Sequence, residues 1–173
     1  MGTADESASQ PGWLQRVLIG RHPGRTLVRT IIWVVLCVLI FKFVLLRVRV
    51  EGISMLPTYR EDTVKCVNCL AYLFHPPRRG DVVAIRYAGK KVMLMKRIVG
   101  LPGETVTFHA GRLLINGKPL DEPYVRLPWS WEHPPELDGP DEYYVVGDNR
   151  SMDYNEHTQG RAERRRIIGK VIR

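Results

Sequence analysis

Residues 31–41 are eleven consecutive apolar residues, and this run constrains the fold more than any other feature of the chain. With its flanks it extends over residues 27–46, a length of twenty. That length suits the roughly 30 Å hydrocarbon core of a bilayer. Lys42 lies near its C-terminal end, where a lysine can extend its ammonium group to the headgroups. The residues that follow alternate arginine and valine, unlike the small-residue cleavage site of a removable leader. We therefore expect a retained transmembrane anchor over residues 27–46.

The distribution of charge favours a membrane orientation over nucleic-acid binding. The 173-residue chain has a formal net charge of +8, and residues 1–49 contain seven Lys or Arg against two acidic residues. Four arginines precede the apolar run without an acid between them, namely Arg16, Arg21, Arg25 and Arg29. This predicts a cytoplasmic N-terminal segment over residues 1–26. Arg47 and Arg49, beyond the run, weaken the bias. The expected partner is the lipid bilayer rather than nucleic acid, and residues 164–166 are interpreted as a solvated or headgroup-facing basic cluster.

Beyond the anchor, the patterns predict a mainly β domain over residues 47–173. Alternating or β-branched segments indicate strands at residues 47–51, 81–87, 92–99, 111–115, 143–146 and 167–172. Asn116 and Gly117 follow one of them and predict a two-residue hairpin turn. Residues 127–140 contain four prolines and are predicted to form a loop. The expected fold is therefore a β domain outside the cytoplasm, preceded by one transmembrane helix.

Cys66 and Cys69 have the C-x-x-C spacing of redox and zinc sites, but their surroundings disfavour both. Residues 63–70 have an extended pattern, in which side chains three positions apart point to opposite faces. A second C-x-x-C does not follow them. We therefore expect neither a redox pair nor a metal site at these two cysteines.

Ser54 follows the first predicted strand within an apolar turn. Gly52 permits close backbone approach, and Pro57 stiffens the chain beyond the serine. A nucleophilic serine requires a base. A serine with a purely structural role in a turn is the commoner occurrence, so this segment alone does not establish a nucleophile.

Lys96 is the candidate base because of its position in a predicted strand. In an extended chain it shares a face with Val92, Leu94 and Ile98, which are all aliphatic. Burial there disfavours the ammonium form and lowers the pKa of the lysine, as a lysine base near neutral pH requires. Arg97 points to the opposite face and cannot act as a base. A lysine extending from a strand edge into solvent is the alternative.

Four segments, in the correct order after a single anchor, together resemble the type I signal peptidase family. They are residues 54–58 (SMLPT), 79–83 (RGDVV), 96–104 (KRIVGLPGE) and 147–153 (GDNRSMD). Residues 115–124 are also similar to the family. The resemblance implies a membrane-bound β peptidase that removes signal peptides from exported precursors. It implies neither a metal ion nor an organic cofactor.

The resemblance also implies roles for individual residues. Ser54 would attack the scissile carbonyl and neutral Lys96 would take its proton, as in other serine–lysine enzymes. Ser151 would orient the Lys96 amine, and Asp148 and Asp153 would hold the turn, with Arg161 as a candidate partner of Asp153. Backbone N–H groups would stabilise the oxyanion, and the substrate would approach along Gly52, Ile53 and Met55.

Three alternatives remain at this point. A Ser-His-Asp triad could combine Ser54 and Asp148 or Asp153 with one of five histidines, His22, His75, His109, His133 or His157. A membrane-anchored binding or assembly factor could use the same fold without catalysis. A third hypothesis concerns membrane contact through an apolar set near the serine, because tryptophans favour the bilayer interface. This set comprises Ile53, Met55, Leu56, Trp129 and Trp131; burial of the tryptophans inside the domain is the alternative to it.

Overall fold

The computed structural model describes residues 23–88, 92–126, 130–156 and 159–172. It separates into two compact units, residues 1–42 and 43–173. Helix α1 extends over Pro23–Val44, and all but its last two residues belong to the first unit. Its segment Gly24–Lys42 is long and apolar enough to cross a membrane, and its apolar side chains are exposed. This helix agrees with the predicted apolar segment, whereas its insertion into a bilayer stays a prediction.

The helix is displaced by a few residues from the predicted range 27–46. It begins at Pro23, because the first turn of a helix does not need the N–H group that proline lacks. It ends at Val44, and Leu45 and Leu46 belong instead to the first strand. These two leucines pair with Asn68 and Val67 of the neighbouring strand. The first strand therefore begins at Leu45, two residues before the start that alternation predicted.

Eleven strands follow among the described residues: β1 Leu45–Arg49, β2 Val64–Asn68, β3 Val82–Ala88, β4 Val92–Gly100, β5 Thr105–His109, β6 Arg112–Ile115, β7 Lys118–Pro119, β8 His133–Leu137, β9 Glu142–Val146, β10 Gly160–Glu163 and β11 Ile167–Val171. Seven of them form an antiparallel sheet in the order β1-β2-β11-β3-β4-β9-β10. The other four form a smaller antiparallel sheet in the order β7-β6-β5-β8. The prediction of a mainly β domain after one apolar helix is confirmed.

The predicted hairpin and the predicted proline-rich loop had different outcomes. Asn116 and Gly117 have φ values of 51° and 76° and connect β6 to β7, as a turn with two left-handed residues does. The loop prediction over 127–140 is wrong in part, because β8 lies within it. Pro134 and Pro135 fit β8 because it is an edge strand, where a missing N–H group costs little. Residues 127–129 lie outside the described part of the chain.

Three hydrophobic clusters form the core. The first joins Met55 and Tyr59 to β3 and β4, and the second lies between β3, β4 and β9. The third packs Trp131 against Phe108 of β5. Trp131 is only 3% exposed and its Nε1 donates a hydrogen bond to the Met152 carbonyl at 2.8 Å. Both Trp131 and Met55 are thus core residues, so the hypothesis of a membrane-facing set near the serine is wrong for these two.

Candidate active site

Ser54 lies in the serine loop, residues 50–62, which connects β1 to the turn before β2. The base of the loop is closed by hydrogen bonds from Val50 N to the Thr63 carbonyl (2.8 Å) and from Asp62 N to the Val50 carbonyl (2.9 Å). Gly52 has a φ of 81°, the left-handed conformation that favours glycine. A side chain there would meet open space, so the glycine is required by its backbone angle rather than by crowding.

The loop orients its residues in opposite directions around the serine. Ile53 is exposed, Ser54 is half-buried and Met55 is buried in the first hydrophobic cluster. A narrow cavity of about 40 Å³ lies beside Ser54. Its walls are the serine loop together with residues 93–95 of β4. The structure therefore places the predicted nucleophile against the residues that directly precede Lys96.

Lys96 is buried in the middle of the large sheet. It lies on β4 opposite Val83 of β3, and its side chain is 2% exposed. No carboxylate in the described part of the chain forms an ion pair with it. Burial alone lowers the pKa of its ammonium group from 10.5 to about 8. The low exposure of Lys96 and its lowered pKa agree with the prediction that it is buried on an aliphatic strand face.

Leu94 links the surroundings of the two predicted catalytic residues. It lines the cavity beside Ser54 and also a second cavity of about 70 Å³, to which Lys96 and Gln159 contribute. Ser54 and Lys96 thus flank the same short stretch of β4. A hydroxyl within reach of a lysine of lowered pKa would be suited to proton transfer, and direct contact between Ser54 and Lys96 stays a prediction.

Asn149 attaches the third predicted motif, the turn over residues 147–153, to the serine loop. Its backbone N–H donates to the Ser54 carbonyl at 3.0 Å, and its side-chain Nδ2 donates to the Ile53 carbonyl at 3.1 Å. Asn149 is buried. Sequence reasoning included it in the motif without giving it a role; its two donors in a tight turn were the available signal.

A buried ion pair joins the serine loop, β4 and this turn. Arg97 donates to Asp148 from Nε at 2.7 Å and from Nη2 at 2.6 Å. Thr58 of the serine loop donates to the same carboxylate at 2.5 Å. Arg97 also donates to the Gly80 carbonyl at 2.7 Å, and its guanidinium stacks over the Tyr124 ring at 3.9 Å. Asp148 therefore holds together all three segments, and Arg97, which sequence reasoning set aside, is its partner.

The chain matches a known protein family over most of its length. The family described as signal peptidase, peptidase S26, matches residues 24–173. The chain belongs to this family.

Signal peptidase I of Leptolyngbya laminosa is 39% identical over 69% of this chain and 63% of its own length. Probable signal peptidase I-2 of Synechocystis is 31% identical over 96% of the chain and 75% of its own length. Signal peptidase I V of Bacillus subtilis is 30% identical over 82% and 92%, respectively. The resemblance to type I signal peptidases is confirmed.

Two further residues of the signal peptidase motif have partners close in sequence. Ser151 is exposed, and its Oγ donates to Asn149 Oδ1 at 2.6 Å. Asp153 accepts a hydrogen bond from Asn155 N at 2.9 Å, at the start of a short 3₁₀ helix. Arg161 binds Glu136 at 3.0 Å, so the hypothesis that it pairs with Asp153 is wrong. A contact of Ser151 with Lys96 stays a prediction.

The histidines proposed for a triad have other neighbours. The nitrogens of His75, His109 and His133 lie 2.9 Å from the Pro76 carbonyl, 3.3 Å from Glu132 and 3.1 Å from Glu136, respectively. Both oxygens of Asp148 are already bonded to Arg97 and Thr58. His22 and His157 lie outside the described residues. The described part of the chain therefore gives the triad no support. In that part, Cys66 and Cys69 are free thiols, and no cluster of three potential metal ligands occurs.

Proposed function

We propose that this chain is a membrane-bound serine endopeptidase that removes N-terminal signal peptides from exported precursor proteins. Ser54 is the nucleophile and Lys96 is the general base. The observation that supports this most is the burial of Lys96 next to the stretch of β4 that lines the Ser54 cavity. Because burial lowers its pKa to about 8, roughly a tenth of the lysine is neutral at pH 7, far more than for an unperturbed lysine.

The reaction follows from these two groups. The Ser54 hydroxyl attacks the scissile carbonyl carbon while neutral Lys96 accepts its proton. The resulting ammonium then returns the proton to the leaving amine, and an acyl ester on Ser54 remains. Lys96, neutral again, deprotonates a water molecule that attacks this ester, and the resulting ammonium returns the proton to the departing Ser54 oxygen, which regenerates both groups. Backbone N–H groups of the serine loop, including that of Ser54, stabilise the oxyanion.

The narrow cavity beside Ser54 favours small substrate side chains. A cavity of about 40 Å³ has room for only a few water-sized groups, so it accepts an alanine side chain more readily than a bulky residue. Gly52 and Met55 line it, and together with the exposed Ile53 between them they would contact an extended peptide added as a strand. Small residues before the cleaved bond, in the pattern Ala-X-Ala, are the substrates we expect.

Three residues of the 147–153 turn support the base and the nucleophile. Asp148 fixes the turn through Arg97, and Asp153 caps the chain that follows. Ser151 is the hydroxyl that orients the Lys96 amine. Its hydrogen is donated to Asn149 Oδ1, which leaves its oxygen as an acceptor for an N–H of the neutral amine.

Helix α1 anchors the enzyme in the plasma membrane as a single span. The proposed division is a cytoplasmic segment over residues 1–26, an anchor over 27–46 and an extracytoplasmic catalytic domain over 47–173. The apolar length of the helix and the arginines that precede its apolar run, residues 31–41, support this orientation. It would deliver the site to the compartment in which exported precursors emerge.

The test is cleavage of an Ala-X-Ala precursor by the full chain in detergent. Ser54→Ala and Lys96→Ala should each lower kcat by about 10³-fold or more, because nucleophile and base act as a unit. Ser130→Ala, at an exposed serine, is the control and should leave the rate unchanged.

Two outcomes would favour the alternatives. Loss of activity in His157→Ala with retention in Lys96→Ala would indicate a histidine triad. A wild-type chain that never cleaves the precursor, with Ser54→Ala behaving identically in cells, would indicate a binding or assembly factor.

A further inference from the structure

Gln159 carries a buried hydrogen-bond acceptor that no group in the described part of the chain satisfies. Its Nε2 donates to the Tyr154 carbonyl at 3.0 Å, and this bond distinguishes the nitrogen of the amide from its oxygen. The oxygen, Oε1, is buried and accepts no hydrogen bond from the described residues. Buried side-chain oxygens nearly always have a donor, so an unpartnered one indicates a functional role or an absent partner.

Gln159 lies beside the proposed base. It lines the cavity of about 70 Å³ to which Leu94 and Lys96 of β4 also contribute. Regular alternation would place Gln159 and Gly160 on opposite faces of β10. Gly160 has a φ of 122°, a conformation that favours glycine and interrupts the alternation, and both residues line the cavity together with Ala162. The chain thus brings an unpartnered amide oxygen to the face of the large sheet that carries the lysine.

The amine of Lys96 also lacks a partner. Among the described residues it forms neither a hydrogen bond nor an ion pair, and burial alone accounts for its lowered pKa. A lysine ammonium has three N–H donors, whereas the neutral amine has two donors and one lone pair. If its N–H groups are not held, the amine rotates about the Cε–Nζ bond, and the lone pair faces Ser54 only part of the time. The proposed reaction therefore requires acceptors beside the amine.

The charged groups around this cavity explain why an amide suits the position. Its titratable and charged side chains are Arg86 and Tyr87 of β3, Arg161 of β10 and Arg166 directly before β11, and Arg49 and Glu51 line the cavity beside Ser54. None of the described carboxylates lines the cavity that contains Lys96. A carboxylate in place of the Gln159 amide would stabilise the ammonium form and raise the pKa of Lys96. A neutral oxygen can hold the amine without that effect.

We propose that Gln159 is a positioning residue of the serine–lysine pair, and that its Oε1 accepts a hydrogen bond from the Lys96 amine across the cavity they share. Together with Ser151 it holds both N–H groups of the neutral amine, so that the lone pair faces the Ser54 hydroxyl. When Lys96 takes the Ser54 proton, these two bonds become charge-assisted, and the third N–H of the ammonium is directed to the reacting atoms. This inference rests on the proposed function, because Gln159 acts only through Lys96.

The titration of Lys96 tests this contact without catalysis. In the full chain in detergent, with Ser54→Ala and with lysines labelled with ¹³C at Cε, NMR follows each lysine against pH, and Lys96→Met identifies the Lys96 signal. Gln159→Met removes the acceptor, so the pKa of Lys96 should fall by at least about 0.5 pH units. Gln159→Glu should raise it by at least about one pH unit. Lys118, exposed on β7, is the internal control and should titrate unchanged.

The signs of these changes separate a hydrogen bond from a merely structural role. A substitution that only loosens the cavity admits water, which relieves the burial of Lys96 and raises its pKa. Arg86→Met, on another wall of the same cavity, is the matched control. It removes a cation, so it should not lower the pKa of Lys96. An unchanged or higher pKa in Gln159→Met would overturn the proposal.

Cleavage of the Ala-X-Ala precursor by the full chain is the second readout. In Gln159→Met, kcat should fall about tenfold with KM unchanged, because the lost bond orients the base and does not bind substrate. In Gln159→Glu, the rise of kcat with pH should move to higher pH by about one pH unit. A change in KM alone, or a pH profile of Gln159→Glu that matches the parent profile, would contradict a role through Lys96.

The two readouts distinguish the failure of this inference from the failure of the proposed function. Activity that survives Lys96→Ala would refute the serine–lysine reaction, whatever the titration shows. Loss of activity in Lys96→Ala, combined with an unchanged Lys96 titration in Gln159→Met, would leave that reaction intact and refute the role of Gln159.

Discussion

Lys96 has opposite effects on stability and on chemistry. Its burial on an aliphatic strand face lowers its pKa from 10.5 to about 8, a change of between two and three pH units. Each unit corresponds to about 1.4 kcal/mol, so keeping this amine protonated in the folded state costs about 3 kcal/mol. The same cost provides the neutral base that the proposed reaction requires.

We therefore expect Lys96→Met to stabilise the fold while abolishing activity. Below about pH 8 the lysine is protonated in both folded and unfolded states, and the folded state bears the full penalty. Between about pH 8 and 10.5 the unfolded chain binds more protons than the folded one, so wild-type stability rises with pH. The free energy of unfolding of Lys96→Met should exceed that of wild type by about 1–3 kcal/mol at pH 7. This difference should shrink towards pH 10.5.

Denaturant unfolding in detergent, followed at several pH values, measures this difference. Lys118→Met, at an exposed position of β7, is the matched control and should change the free energy by less than about 0.5 kcal/mol at any pH. A variant at Lys96 that is less stable than wild type at pH 7, or equally different from it at every pH, would contradict the assignment of a penalty to burial.

At the level of elements, the Asp148 carboxylate connects three separate segments through one ion pair. Replacing Asp148 by Asn leaves the buried Arg97 guanidinium without a counter-charge, which typically costs about 3–5 kcal/mol. Thr58 of the serine loop donates to Asp148, and Asn149, the next residue of the turn, donates to the loop at Ile53. The serine loop should therefore lose its fixed position as well. We expect Asp148→Asn to lower both the unfolding free energy and kcat.

The Arg150–Glu122 pair is the matched control for this prediction. It is also buried and bidentate, with distances of 3.1 and 2.5 Å, and it stacks near Phe108 rather than binding the serine loop. Glu122→Gln should destabilise the chain to a similar extent, but with a smaller loss of kcat in the molecules that remain folded. Equal losses of kcat per folded molecule in the two variants would show that Asp148 has only a structural role.

These elements also show what the sequence could and could not predict. Strands β3, β4, β9 and β11 were predicted because their β-branched residues indicate buried extended chain. β8 was missed because its two prolines are typical of a loop, and only its edge position makes a strand acceptable there.

The candidate site, like the fold, was predicted only in part. Ser54 and Lys96 followed from local pattern and from resemblance. The partnership of Arg97 and Asp148, which are 51 residues apart, depends on long-range packing. Alternation placed Arg97 on the face opposite Lys96 but did not indicate that this face is covered. β4 is a central strand between β3 and β9, and both of its faces are covered, so Arg97 is buried as well.

For the whole molecule, the orientation of the anchor decides in which compartment the catalytic domain works. Four arginines precede the apolar segment, whereas Lys42, Arg47 and Arg49 lie at or beyond its other end. Lys42 can reach the headgroups from within the helix end, so the imbalance is small and depends on the four N-terminal arginines. Removing positive charge from the N-terminal side should therefore change the fraction of molecules whose catalytic domain lies outside the cytoplasm.

Alkaline phosphatase fused after Arg173 reports this topology, because it needs disulfides that form only outside the cytoplasm. In a bacterial host we expect the full-chain fusion to be active. Replacing Arg16, Arg21, Arg25 and Arg29 by Gln leaves more positive charge on the distal side, so the phosphatase activity per fusion molecule should fall severalfold. The same number of substitutions at exposed arginines of the catalytic domain, Arg78, Arg112, Arg165 and Arg166, should leave it unchanged. An inactive parent fusion would place the domain in the cytoplasm, and with it exclude exported precursors as substrates.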